Sequence, residues 1–163
     1  MNGRLMLSLS ILACLAAGSA SADDNAKPAR TRSHEEPQGD TGLRYRVSGV
    51  RSSATLSTLV HCTNLGGASV IVTASFYEYT GAFVCAAAQT IASNGTRTLG
   101  TRDTAAFAED AVCPVAPAPD VGQGSATISV SPASARIICS AEVVAIGSDP
   151  PVTLGALDIW PGN

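Results

Sequence analysis

The feature that most limits what this chain can fold into is a two-residue apolar period with almost no helical competitor. It is clearest where Val70, Val72, Ala74 and Phe76 alternate with Ile71, Thr73, Ser75 and Tyr77. Side chains spaced by two lie on one face of an extended strand, so such a segment has to lay that face against a second layer. Upstream, Leu56, Thr58, Val60 and Cys62 form an inward set, and Thr55, Ser57, Leu59 and His61 take the other face. Gly66-Gly67 makes the turn between these strands, and Thr80-Gly81 turns the chain back into Ala82–Ala92. Asn94-Gly95 supplies the positive-φ pair of a type I′ hairpin before Thr96–Thr101. Strands over Ser125–Ser131 and Ala135–Ile146, with a first around Arg44–Val50 and a last around Thr153–Ile159, complete a set of seven to eight. One helical turn is allowed over Ala105–Asp110, capped by Asp103-Thr104, before Cys113-Pro114, Pro117 and Pro119 stop it. Val112–Gly124 is then a long Pro-rich crossing between sheets. Short β-branched strands at this spacing predict an all-β, antiparallel Greek-key β-sandwich, immunoglobulin-like by preference and a jelly roll or barrel as the alternative.

Everything before this pattern has a different character. Arg4, the 13-residue apolar stretch Leu5–Ala17 and the small residues Ala20 and Ala22 read as a signal peptide over 1–22, cleaved after Ala22. The apolar stretch is shorter than the ~20 residues that span a bilayer, which argues against a membrane anchor and leaves no transmembrane segment in the mature chain. Cys14 offers a weaker lipoprotein alternative, because Leu12 fits an acylation site poorly and a full cleavage site lies downstream. Residues 23–42 carry eight charged residues, two prolines and no large apolar side chain, so they predict a disordered charged leader. The β-sandwich domain then occupies 43–163, where 14 of 121 residues are charged. The whole chain has net charge −3, and no basic surface for a phosphate backbone. Nucleic acid is therefore not an expected partner.

An exported chain lives where thiols oxidise, and after residue 22 the cysteines are Cys62, Cys85, Cys113 and Cys139. Strand parity points Cys62 and Cys139 inward. Among three possible connectivities the preferred one is Cys62–Cys139, bridging the two sheets through the core, with Cys85–Cys113 as the second pair. An antibody domain would also have a Trp between the cysteines and a Tyr two residues before the second. Here that position is Ile137 and the single Trp is Trp160, so the likeness is architectural.

Several chemistries lack their parts. His61 adjoins Cys62 on a strand, so the two side chains take opposite faces and form no dyad. His34 lies in the leader, no Met follows residue 22, and the cysteines show no C-x-x-C spacing, which leaves copper and zinc sites without ligands. There is no G-x-S-x-G elbow, phosphate loop or EF-hand, and no cofactor is expected. Asp103, Glu109, Asp110 and Asp120 on the crossing could gather on calcium, against the plainer expectation of a solvated acidic loop. Asn94-Gly95-Thr96 fits a glycosylation acceptor but is better explained as a turn. What remains is surface: Tyr77 and Tyr79, two apart, are candidates for a small stacking platform.

The segment Leu59–Asn64, the strand ending Phe76-Tyr77-Glu78-Tyr79-Thr80-Gly81, Gly124-Ser125-Ala126 and Ile137–Ala141 together resemble small secreted bacterial β-sandwich proteins of uncharacterised function. That resemblance covers about 59–144 and brings no catalytic residues. The resulting expectation is an exported, disulfide-stabilised, non-enzymatic binding or cell-envelope module, secreted or periplasmic, whose partner is a protein or glycan of the envelope. Two other classes stand beside it. One is a secreted hydrolase drawing on Glu78, Asp103, Glu109, Asp110 or Asp120, which requires two carboxylates in one cleft with at least one shielded from water. The other is a periplasmic partner that binds by adding a strand at a free sheet edge.

Overall fold

The computed structural model describes residues 42–104, 110–147 and 152–162. The expected signal peptide, nearly all of the leader, Glu109 and the helical turn over Ala105–Asp110, apart from Asp110 itself, lie outside the described residues. The described chain is all-β, with ten strands: β1 (Gly42–Ser52), β2 (Leu56–Asn64), β3 (Val70–Glu78), β4 (Phe83–Ile91), β5 (Thr96–Gly100), β6 (Ala111–Val112), β7 (Val121–Ser131), β8 (Ile137–Ala145), β9 (Thr153–Ala156) and β10 (Ile159–Pro161). Two more strands occur than the alternation predicts. β6 is a two-residue piece of the Pro-rich crossing, and the expected last strand divides into β9 and β10 at Leu157-Asp158.

The strands form two five-stranded sheets, ordered β10-β1-β7-β3-β4 and β6-β5-β2-β8-β9. Pairing is antiparallel throughout except between β5 and β6. Val47, Val60, Val72, Phe76, Leu99, Ile128 and Val130 fill the space between the sheets, joined by Ala74, Ala87, Ala126 and Ala141. Small side chains on both inner faces let the sheets pack with one large aromatic, Phe76, fully buried. Two polar side chains in this layer have well-placed partners. Tyr45 Oη donates to the Ile137 carbonyl at 2.8 Å, from one sheet to the other. Asn64, fully buried, donates through Nδ2 to Ala68 O (2.7 Å) and Ile91 O (3.2 Å), and its Oδ1 accepts from Gly66 N (2.8 Å).

Both disulfides have the predicted partners, Cys62–Cys139 and Cys85–Cys113, but their architectural roles are exchanged. Cys62 and Cys139 do not join the sheets. They are directly opposite each other on the neighbouring strands β2 and β8, with Cα atoms 4.2 Å apart, as in the close pairs of an antiparallel ladder. The link between sheets is Cys85 on β4 to Cys113 just after β6, with Cα atoms 5.6 Å apart. Parity assigns a cysteine to a face, and two strands of one sheet share that face as readily as two facing strands do.

Two other local expectations change. Asn94-Gly95 makes no hairpin: Asn94 alone has positive φ, 56°, and the chain passes there from β4 in one sheet to β5 in the other. Gly95 N closes the turn on Ala92 O at 2.9 Å. Leu59 does face away from the inter-sheet layer, as parity requires, yet it is fully buried, as are Ser57 and Val144 on the same outer face. This end of the second sheet is therefore covered on both sides.

Candidate functional site

Of the residues singled out by sequence, the largest group meets where β3 leaves the first sheet and β7 joins it. Val121, 2% exposed, anchors the start of β7 in the core. Glu78 pairs with Gly124, and a Cβ on Gly124 would collide with the Tyr77 carbonyl oxygen and stand 2.7 Å from Val121 Cγ1, so only glycine lets β7 come this close to β3. Beyond Glu78 the chain turns at once: Gly81, at φ 83°, donates to Glu78 O (2.9 Å) and Glu78 N donates to Ala82 O (2.9 Å). Between this turn and the start of β7 lies an open depression of about 470 Å3, lined by Glu78, Tyr79, Asp120, Val121, Gly122 and Gln123.

Asp120, on the lining of this depression, is held by an arginine that the sequence did not single out. Arg102, whose side chain is 17% exposed, donates from Nε to Ser52 Oγ (3.0 Å), from Nη2 to the Ala118 carbonyl, and from Nη2 to Asp120 Oδ1 (2.6 Å). Ser52 Oγ in turn donates to Pro119 O (2.8 Å). Three successive residues of a Pro-rich loop are thereby fixed against the sandwich. Asp120 still presents a side chain 79% exposed, and Glu78 is exposed, so the two carboxylates converge on one depression without shelter from water.

The aromatic residues beside it are arranged differently from the expected platform. Tyr77 and Tyr79 do not share a strand face, because β3 ends at Glu78 and Tyr79 belongs to the turn. Tyr77 is half-buried and meets Phe83 edge-to-face, with ring centroids 5.8 Å apart at 71°. Tyr79 is 80% exposed and Phe83 50%. Phe83 is legible only in hindsight: it follows the Thr80-Gly81 turn, which puts it opposite Tyr77 once one residue of β4 bulges.

The other predicted groups lie elsewhere. His61 is on the outer face of the second sheet, where a ring nitrogen bonds Thr98 Oγ1 at 3.0 Å and the other meets Glu142 Oε1 at 3.1 Å. Glu142 Oε2 accepts from Thr153 Oγ1 at 2.8 Å. These bonds stitch four adjacent strands, β5, β2, β8 and β9, on a sheet face whose main-chain amides belong to the ladders. The arrangement is a cross-tie rather than a cleft. Asp110 accepts from Thr98 N at 2.7 Å and pairs with Arg97 at 3.4 Å, so it and Asp120 are held by different arginines. Asp103 is exposed. Among the described residues no three His, Cys, Asp or Glu side chains gather as metal ligands, and no helix of them is long and apolar enough to cross a membrane.

Comparison of the chain with protein-family models, with curated proteins and with solved structures found no match. The site is accordingly read from its own chemistry.

Proposed function

We propose that the chain is an exported, non-enzymatic binding module of the cell envelope or exterior, and that it binds glycan at the aromatic end of the sandwich. The observation that carries this is the Tyr79 ring, 80% exposed, standing beside a depression whose rim offers Glu78, Asp120 and Gln123. A sugar presents an apolar C–H face and a ring of hydroxyls, which matches one exposed aromatic plane flanked by carboxylate and amide acceptors and donors. Phe83, 50% exposed and packed against Tyr77, is a further exposed ring just beyond the same turn. The same openness argues against a hydrolase, since neither Glu78 nor Asp120 has the enclosure that a proton-transfer role requires and Asp120 is engaged by Arg102.

Two finer expectations belong to this proposal. The signal-peptide pattern over 1–22 favours cleavage after Ala22 and release to the periplasm or medium, and two disulfides fit an oxidising compartment. The immunoglobulin-like Greek key rests on the two-sheet architecture and on the repeated passages between sheets.

The test is an NMR amide titration with a panel of soluble bacterial envelope and extracellular oligosaccharides. Saturable shifts confined to residues 77–83 and 120–124, lost in Tyr79→Ala, are expected. Absence of shifts across the panel, or shifts that survive Tyr79→Ala, overturns the glycan reading.

A further inference from the structure

We infer that the outer face of the first sheet, at its β10–β1 margin, carries a second binding site, and that its ligand is an anionic polysaccharide whose sugars bear carboxylates. One row of residues crosses all five strands there. Arg46 on β1 is opposite Trp160 on β10 and Thr127 on β7, Thr127 is opposite Ser75 on β3, and Ser75 is opposite Ala86 on β4. The chain neighbours Val47, Ala126, Ala74 and Phe76 are buried in the core, so alternation turns the row outward. The next row, Ser129 on β7, Thr73 on β3 and Ala88 on β4, repeats the same chemistry. Neither row contains Asp or Glu.

Two arginines on β1 give this margin its sign. Arg46 is exposed, and Arg44 precedes it by two residues on the same side of the strand, at the bulge between Leu43 and Tyr45. Other arginines bind their own chain: Arg51 donates to Gly122 O (3.3 Å), Arg97 pairs with Asp110 (3.4 Å) and Arg102 with Asp120 (2.6 Å). The guanidinium groups of Arg44 and Arg46 make no ion pair or hydrogen bond with any described residue, and Arg44 Nε is buried with no acceptor. Asp158, just before β10, reaches this margin through its carbonyl, which accepts from Ser48 N (3.3 Å), and its carboxylate pairs with neither arginine. Two positive charges so close together, one partly withdrawn from water, favour an incoming anion.

The remaining groups specify a sugar as the carrier of that anion. A guanidinium fork takes a carboxylate through two parallel hydrogen bonds. Trp160, 50% exposed, offers a plane for the C–H face of a sugar ring beside Arg46. The hydroxyls of Thr127, Ser75, Ser129 and Thr73 bond no other described residue and supply both donors and acceptors for sugar hydroxyls. Neighbouring strands lie ~4.8 Å apart, so the row from Trp160 to Ser75 runs ~14 Å, the reach of a short oligosaccharide. An anionic membrane would call for protruding apolar side chains where this face has Ser and Thr. The inference does not rest on the glycan site at Tyr79, whose rim carries Glu78 and Asp120 and so disfavours the same anion.

Trp160 is the single tryptophan of the chain, so its fluorescence reports occupancy directly. The probe is oligogalacturonate, with its methyl ester as the uncharged counterpart, titrated into the untagged, disulfide-bonded protein. A saturable change in emission is expected with the acid form, weakened by at least about tenfold in Arg46→Gln and with the ester, and reduced by added salt. No saturable change, equal binding of the ester, or Arg46→Gln that binds as well as wild type overturns the inference. So does a response to oligoglutamate or to phosphatidylglycerol vesicles that equals the response to oligogalacturonate. Should Arg46→Gln not fold, the comparison of acid and ester on wild type decides. Tyr79→Ala leaves this binding unchanged and Arg46→Gln leaves the amide shifts at residues 77–83 unchanged, so failure of the glycan proposal and failure of this one are distinguishable.

Discussion

Removing the bridge between the sheets, by Cys85→Ala together with Cys113→Ala, is expected to destabilise the domain in a spatially confined way. The bridge closes a loop with a sequence separation of 28 residues, and loop-closure entropy for that length corresponds to about 3.6 kcal/mol at room temperature. A domain of this size has a total stability on the order of 5–15 kcal/mol, so the loss is a large fraction of the whole. Urea denaturation followed by circular dichroism reads it directly, and the m-value should rise because the unfolded chain is released from a cross-link. Location is the stronger test. In the native state the bridge holds the segment Asp110–Cys113 against β4; the segment is otherwise tied mainly to β5, through the short β5–β6 pairing, Asp110 N to Thr98 O (2.9 Å), Cys113 N to Gly100 O (3.1 Å) and the contacts of Asp110 with Thr98 N and Arg97, and to β4 by the Gln89 bond. Amide exchange should therefore quicken at Asp110 and Cys113 while the β2–β8 ladder, nine residue pairs long, stays protected. Cys62→Ala with Cys139→Ala gives the contrast. It opens the longer loop, about 4.5 kcal/mol on the same model, yet frees no strand, because β2 and β8 are already in register on either side of the bridge. A loss below about 1 kcal/mol for Cys85→Ala/Cys113→Ala, or exchange that quickens equally in β2–β8, would refute this account of which bridge holds what.

Three further substitutions probe features described above. Gly124→Ala forces a methyl into the Tyr77 carbonyl and Val121, and should cost about 1–3 kcal/mol and broaden the amide signals of Tyr77 and Glu78. Asn64→Ala strips a partner from the buried Ile91 carbonyl and unties Ala68 and Gly66, and thermal denaturation should register a loss of about 2 kcal/mol. His61→Ala removes the centre of the tie across β5, β2 and β8 and should cost about 1–2 kcal/mol, with faster exchange at the β8–β9 edge once Glu142 loses one of its two partners. Stability equal to wild type in any of these variants would mean that the corresponding contact is not maintained in solution.

The strands were legible because alternation is a local property. β3 follows the predicted two-residue period from Val70 through Tyr77, with Val70, Val72, Ala74 and Phe76 all buried. The disulfide partners were legible too, since parity points both Cys62 and Cys139 inward and leaves Cys85 with Cys113. Which sheet each strand joins was not, because two neighbours in one sheet and two strands in facing sheets present their inward side chains identically. The exchanged roles of the bridges and the passage at Asn94-Gly95 share that origin. β6 left no signal, as two residues cannot display a period. At the candidate site, Glu78, Asp120 and the tyrosines stood out by residue type. Arg102, Phe83 and Gly124 did not, because their importance lies in contacts 18, 6 and 47 residues away along the chain, with Asp120, Tyr77 and Tyr77 respectively.

β1 and β10 pair at one margin of the first sheet, with Val47 opposite Ile159 and Tyr45 opposite Pro161, and Gly162 N reaches Arg44 O at 2.6 Å. Both ends of the folded body are consequently on the margin opposite β4. A tag fused directly at Gly42 or after Gly162 therefore joins the domain at the margin of the first sheet opposite β4.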